Sequence, residues 1–416
     1  MSKIFAYATL SAALILSVCP PVRSDVLFPT SPQIEDNIRF WIDIYSNYSE
    51  SEVVIHDSDY LDIVYEIIDL DDFYPPETDW QTKWRKVEEK KKEYQLILLR
   101  LANKHTPIDT AGLADAEKRI YLMWQGRVDP IPFRAAARNL RGQRGLSERF
   151  KKGLERSGRY MAELQRIFRS YELPMELCYL PHVESSFDYS AYSKMGAAGL
   201  WQFTRSTGRL FLKINYTVDE RFDPLISTDA AARLLKKNYE ELGSWPLAIT
   251  AYNHGLSGMK RAKARLETDD LGIIVEKYRS RSFGFASKNF YAEFIAAKRI
   301  AERHLLYFGG IHFESPVSYQ VFVLPDFVML NDLAKSFNLE EEAIIAMNPA
   351  LRRTVTTSRR RIPRGTELRL PYREGFDPYA LYAELALGIK YSDQIRDRYY
   401  RVERGDNLAG IARRRS

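Results

Sequence analysis

Residues 181–203 read PHVESSFDYSAYSKMGAAGLWQF. An apolar run ends in one acid, Glu184; a stretch of low bulk follows, Gly196-Ala197-Ala198-Gly199; Trp201 and Gln202 close the segment. Upstream, residues 175–183 are apolar on nearly every side, as in a buried helix, and Pro181 is expected to bend or end it. A carboxylate at such a helix end, beside Val183 and Phe187, loses hydration, which disfavours its charged form. An acid that keeps its proton near neutral pH can protonate a leaving oxygen. The plainer reading of a lone glutamate is a solvated helix end or a structural salt bridge. The surroundings must separate the two.

Working outward, the low-bulk stretch lets a flat polymer approach the backbone. Trp201 offers an aromatic surface and Gln202 an amide, and Ala251-Tyr252-Asn253 repeats that chemistry at the end of another buried helix. Pyranose rings present an apolar face and hydroxyls. The combination suits a groove for an N-acetylated sugar chain, although Trp and Tyr are more often core residues. Glycosidases ordinarily use two carboxylates. The segment supplies one, and Asp188 is the nearest other acid. His182 does not belong to an HExxH zinc motif. Gly255-Leu256-Ser257-Gly258 misses the GxSxG spacing, and whether His254 lines the groove is left open. Cys178, among Leu173, Leu177 and Leu180, is expected to be buried filler.

Three ordered segments now carry a resemblance: 183–187 (VESSF), 193–202 (SKMGAAGLWQ) and 251–253 (AYN). Together they resemble the motifs of the goose-type lysozyme-like lytic murein transglycosylases, soluble and membrane-bound, with subtype D of the membrane-bound enzymes nearest in pattern. Residues 40–69 and Phe290-Tyr291-Ala292 are similar to that subtype as well. The resemblance implies a lysozyme-like fold and cleavage between N-acetylmuramic acid and N-acetylglucosamine with a 1,6-anhydro product. It implies Glu184 as sole acid and base, Ser185 beside the reacting sugar, and Gly199, Gln202, Tyr252, Asn253 and Tyr291 around the glycan. No metal or cofactor is expected. The competing readings are a hydrolase of the same bond and a non-catalytic murein-binding scaffold.

The fold class expected is mainly α. Residues 25–145 read as a helical N-terminal region. In it, 53–69 is a strand or turn followed by an amphipathic helix, and 84–101 is a charged helix packing through Val87, Tyr94, Ile97 and Leu98. Residues 146–308 form the lysozyme-like catalytic domain, with helices over 150–170, 228–242 stopped by Gly243, 246–252 and 289–307. Residues 317–373 read strand-helix-helix-strand and resemble a degenerate LysM module, a kind that binds N-acetylglucosamine polymers. Its arginine-rich loop (Arg352, Arg353, Arg359, Arg360, Arg361) is solvated or touches a polyanion. Residues 398–416 look like the start of a second such module that does not finish, so a disordered tail is expected from about Asp406.

Residues 1–24 read as a secretory signal: Lys3, an uncharged apolar stretch over 4–18, and small residues suited to cleavage after Ser24. An uncleaved anchor, or a lipid on Cys19, is the alternative. The expected location is the periplasm or cell envelope, with outer-membrane association open. Cleavage removes Lys3 and Arg23, taking the net charge from +6 to +4, and leaves Cys178 unable to form an internal disulfide. A mild positive charge does not point to nucleic acid, but it suits an anionic wall polymer such as peptidoglycan. A monomer is expected. With 416 residues, 45% hydrophobic and 28% charged, the chain can build two or three domains.

Overall fold

The computed structural model describes residues 24–104 and 108–395, with positions 407 and 410 beyond them. The expected signal segment with Cys19, and the tail module over 398–416, lie outside the described residues.

The N-terminal region comprises α1 (Ser24–Leu27), α2 (Pro32–Ser46), β1 (Glu52–Asp57), β2 (Val64–Asp69), α3 (Trp80–Ala102), α4 (Asp115–Trp124), α5 (Phe133–Asn139) and β3 (Leu140–Arg144). The strands form an antiparallel sheet in the order β2-β1-β3. The strand allowed at the start of 53–69 is β1, and the amphipathic helix expected before residue 69 is corrected to strand β2. Val64, Tyr65, Ile67 and Ile68 are β-branched or aromatic and favour a pleated surface once β1 offers its edge. Successive side chains of β1 point to opposite faces, and each face is buried in a different core. Val53 and Ile55 pack with Val87, Tyr94 and Leu98 of α3, while Val54 packs with Phe40 and Ile44 of α2. On β3, a Cβ at Gly142 would lie 2.8 Å from Val87 Cγ1, so glycine lets α3 close on the sheet.

The middle segment holds α6 (Ser147–Ser157), α7 (Met161–Ser170), α8 (Leu180–Glu184), α9 (Arg205–Gly208), α10 (Pro224–Leu242), α11 (Trp245–His254), α12 (Leu256–Leu266), α13 (Leu271–Lys277), α14 (Phe285–Glu302) and α15 (His304–Phe308). Helix α10 follows expectation. Asp223 caps it by accepting from Leu225 N (3.0 Å) and Ile226 N (2.9 Å), and Gly243 ends it at φ 71°. Three expectations need correction. The single helix over 150–170 is split at 158–160, where a Cβ on Gly158 would come 2.5 Å from Glu314 O. The helix over 175–183 is a 3₁₀ turn (Met175–Tyr179) followed by α8, and Pro181 sits in the first turn of α8, where its missing N–H costs nothing. The helix over 289–307 starts earlier, at Phe285, and breaks at Arg303.

Helix α2 lies along α14, and a single apolar core runs through both segments. Arg299 pairs with Glu35 (Nη2–Oε2 2.9 Å), and Asn37 donates to Asn289 Oδ1 at 3.2 Å. Position 145 is thus not a packing boundary.

The C-terminal segment runs β4 (Tyr319–Val323), α16 (Leu330–Phe337), α17 (Glu341–Met347), α18 (Arg353–Thr356), β5 (Glu367–Pro371) and α19 (Pro378–Glu384). β4 and β5 pair antiparallel over their own core of Phe322, Leu333, Ile344 and Leu368. This is the expected strand-helix-helix-strand order, with an extra turn at α18. The unit also extends past residue 373: Tyr382 is buried in its core, and Tyr391 bridges to Phe327. It docks on the middle segment through Arg369, whose Nη2 lies 3.0 Å from Asp223 Oδ1, and through the Val218–Leu351 bridge. Part of the arginine-rich loop is engaged: Arg352 donates to Asn215 O of the middle segment at 3.0 Å, and Arg361 lies 3.4 Å from the Tyr391 ring centre within the unit. Among the described residues, no helix is long and apolar enough to cross a membrane.

Candidate active site

Glu184 is the last residue of α8. The helix cannot continue, because Ser186 (φ 52°) and Phe187 (φ 54°) both take left-handed backbone conformations. The reversal is held from the α6 side. Arg149 Nε donates to Ser186 Oγ (3.2 Å), and Gly153 lets α6 approach the Ser186 backbone. Phe187 and Leu180 are fully buried, which anchors the turn on both sides of the acid. Glu184 itself keeps a partly accessible face. Among the described residues its carboxyl has no hydrogen bond and no ion pair. Burial, and then the charge of Glu293, push its pKa up to about 8. The expected desolvated acid is present.

The second carboxylate was missed in the sequence. Asp188, the nearest other acid in the sequence, accepts from Ser190 N (2.9 Å) and Ser190 Oγ (2.6 Å) and closes its own turn. Glu293 of α14 is instead the acid close enough to act on Glu184. Its pKa is also raised by burial to about 8, against the opposing help of Tyr45 and Arg141. The Tyr45 hydroxyl lies 3.5 Å from Glu293 Oε2, and the charges of both Glu293 and Glu184 act on Tyr45. A signal did exist: Glu293 is the lone charge in the apolar run FYAEFIAA (290–297), the same pattern that singles out Glu184.

The remaining expected residues divide into two groups. Tyr252 of α11 stands beside Glu184, whose charge raises the Tyr252 pKa after burial, and its hydroxyl donates to Trp201 O at 2.8 Å. Asn253 is exposed; its Oδ1 accepts from Ser287 Oγ (2.9 Å), and among the described residues its Nδ2 has no partner. Of the two, Asn253 keeps an exposed polar group without a partner among the described residues. Ser185 is buried and donates to Leu200 O at 2.8 Å, tying the acid's turn to the following loop. Gln202, at φ 46°, spends its Nε2 on Gly199 O (2.8 Å) and Ala191 O (3.2 Å).

Three expectations are corrected. Trp201 is no sugar platform: it is fully buried, stacked on Phe168 and bonded to Thr228 Oγ1 at 2.7 Å. Gly199 serves packing more than polymer access. It has φ 80°, and a Cβ there would lie 1.7 Å from Arg221 O. Tyr291 is 1% exposed and donates to Pro29 O at 3.0 Å, so its hydroxyl braces the N-terminal segment.

Arg221 organises the loop that follows the acid. It grips Asp219 with two bonds (2.9 and 2.8 Å) and donates to Gly196 O (2.8 Å) and Phe203 O (3.1 Å). His254 packs edge-on against Phe283 and over Gly258, where a Cβ would come 2.4 Å from its ring. His182 is buried between Phe150 and Phe187 with neither nitrogen bonded, and burial lowers its pKa to about 3. Cys178 is buried and free, as expected, and burial raises its thiol pKa.

Residues 165–271 match the family model described as Transglycosylase SLT domain, a span that contains Glu184, Tyr252 and Asn253 but not Tyr45 or Glu293. The chain is 39% identical over 117 residues to membrane-bound lytic murein transglycosylase D of Escherichia coli (strain K12), covering 27% of this chain and 26% of that protein. It is 37% identical over 106 residues to a putative tributyltin chloride resistance protein of Alteromonas sp. (strain M-1), covering 25% of this chain and 51% of that one. The matches thus span about a quarter to a half of these relatives. A solved structure of lytic transglycosylase Slt from Pseudomonas aeruginosa is similar at 18% identity and a TM-score of 0.29, over 37% of this chain and 25% of that one. The acid at the end of α8, the turn behind it and the Arg221-braced loop therefore lie within the segment that matches the Transglycosylase SLT domain model, in a chain similar over 117 residues to membrane-bound lytic murein transglycosylase D of Escherichia coli.

Proposed function

We propose that the protein is a lytic transglycosylase of peptidoglycan, cleaving the bond from C1 of N-acetylmuramic acid to O4 of N-acetylglucosamine. One observation carries this reading: the Glu184 carboxyl is accessible and unpartnered among the described residues, yet desolvated enough to hold its proton to about pH 8. Glu184 gives that proton to the glycosidic oxygen as the C1–O4 bond breaks, and the bonding pair leaves with O4. The substrate's own N-acetyl oxygen supports the positive C1. The C6 hydroxyl then attacks C1, and its proton passes to the Glu184 carboxylate. The acid is regenerated, a 1,6-anhydro end forms, and no water is consumed. The internal hydroxyl is favoured by proximity. On this proposal Asn253 and Tyr252 hold the N-acetylated sugar. In this reading the protein works in the cell envelope after secretion, and the C-terminal unit is a LysM-like glycan-binding module.

Glu293 favours a second reading, hydrolysis of the same bond with water as nucleophile, because it supplies a second carboxylate. Digestion of purified peptidoglycan with mass analysis of the products separates the two, since hydrolytic ends are heavier by one water. Anhydro ends from wild type and none from Glu184→Gln support the proposal. Hydrated reducing ends would replace it with the hydrolase, and no soluble product from wild type would leave a binding scaffold.

A further inference from the structure

We infer that Glu293 is a positioning residue for Glu184: with the Tyr45 hydroxyl beside it and the charge of Arg141 acting on it, it is the first of the carboxylate pair to ionise, so that Glu184 is the last to lose its proton. This rests on Glu184 being the acid of the proposed reaction.

The argument begins with the asymmetry of the two groups. Two carboxylates within each other's field do not ionise independently, and the first proton leaves the group whose anion is better supported. Glu293 has the Tyr45 hydroxyl at 3.5 Å and the positive charge of Arg141 acting on it. Glu184 has neither, nor any other donor among the described residues. The first ionisation therefore belongs to Glu293, and its charge then resists the second. Different surroundings acting on paired titratable groups assign the acid and the anion.

The framework that sets this asymmetry comes from four elements. Glu293 stands on α14, which packs against both α8 and α2. Tyr45, on α2, stacks on Phe150 of α6 at 5.0 Å, and Phe150 stacks at 4.9 Å on His182, two residues before Glu184. The acid's helix and the tyrosine that holds Glu293 are thus braced against the same ring. Arg141 projects from β3 and lies 3.9 Å from the centre of the Phe285 ring at the start of α14.

The charged and titratable groups around the pair can be named element by element. Tyr45 comes from α2, Tyr252 from α11, Arg141 from β3 and Arg149, which faces Tyr45, from α6. His182 on α8 is neutral through burial. The other charges of α14 are engaged elsewhere: Lys288 with Asp59, Lys298 with Glu302 and Arg299 with Glu35. Of these groups, Tyr45, Arg141 and Glu293 lie outside the matched SLT segment. The N-terminal region thereby helps to set the protonation of the acid.

The test compares Glu293→Gln with wild type in the full chain. The substitution keeps shape and removes charge. The alkaline limb of the kcat/KM profile is expected to move toward acid by about one pH unit, the scale of a nearby like charge. Tyr45→Phe, which weakens the support of the Glu293 anion while leaving the fold intact, should move the same limb by less and in the same direction. The titration of the Glu184 carboxyl, followed by carbon-13 NMR, should shift with the Glu293 substitution. That readout works even if the protein releases nothing from peptidoglycan, so failure of the proposed activity and failure of this inference are told apart. An unmoved limb and an unmoved Glu184 titration would overturn the inference. Loss of activity by more than about a hundredfold at every pH, with the Glu184 titration unchanged, would also overturn it, because Glu293 would then be a catalytic base. If the Glu293 variant does not fold, an unmoved limb in Tyr45→Phe overturns it.

Discussion

The Tyr252 hydroxyl donates to the backbone carbonyl of Trp201 at 2.8 Å, joining the end of α11 to the loop that follows the acid. The bond links two of the three ordered motifs. It also turns the phenol oxygen toward the backbone of that loop. Tyr252→Phe is therefore expected to cost about 1 kcal/mol of stability, the usual worth of such a bond. Urea denaturation of the two proteins at pH 6 measures it.

Glu184→Gln should lower the rate of glycan cleavage by at least about a hundredfold, the range of a general acid. Binding of the polymer should persist, since the amide keeps the shape of the side chain. Release of soluble fragments and cosedimentation with peptidoglycan read the two effects separately.

The pH dependence of activity has a fixed sign. The reactive form of Glu184 is the acid, and its pKa is pushed up to about 8 by burial and by Glu293. Activity should fall as pH rises through that value. Stability follows the same group: the folded protein binds this proton more tightly than the unfolded chain, whose carboxyl titrates near 4.5. The contribution is fully present below 4.5 and is lost as pH rises toward 8. The Tm gain of Glu184→Gln over wild type should therefore grow across that interval, as calorimetry would show.

His182 acts in the opposite direction. Its folded pKa is lowered to about 3 from 6.5, so its neutral burial supports the fold above pH 6.5, and the support is lost as pH falls below that value. Both ring nitrogens are unbonded between Phe150 and Phe187. His182→Phe should raise the Tm at pH 4 more than at pH 7, and thermal melts at the two pH values test it.

Arg221 should be the most sensitive position of the loop. It is buried with Asp219 and also holds Gly196 O and Phe203 O. Arg221→Ala leaves Asp219 buried and unpaired, at a cost of about 3–5 kcal/mol. Gly199→Ala drives a Cβ into Arg221 O at a backbone angle of φ 80°. Chemical denaturation for the first, and protease sensitivity of residues 196–203 for the second, are the measurements.

Much of this site was legible in the chain because its signals are local. A lone acid after an apolar run marks Glu184, a cap and a glycine bound α10, and alternation over 319–323 gives β4. Residue type also reported the low bulk of 196–199 correctly, but not its cause, which is the approach of Arg221 from 22 positions beyond Gly199. Trp201 and Tyr291 have the chemistry of sugar-binding residues, and only their neighbours, Phe168 and Pro29, reveal that they are framework.

The sequence by itself determined the mainly helical class, helix α10, the position of the acid and the order of the motifs, since each depends on residues a few positions apart. The tertiary structure alone decided three things. It made residues 64–69 a strand, because β pairing depends on a partner segment and not on local period. It merged the N-terminal and middle segments into one core through α2 and α14. It brought Tyr45 and Glu293, 248 positions apart, to the side of Glu184. Desolvation and charge coupling act through space, so the environment that sets the proton on Glu184 exists only in the folded chain.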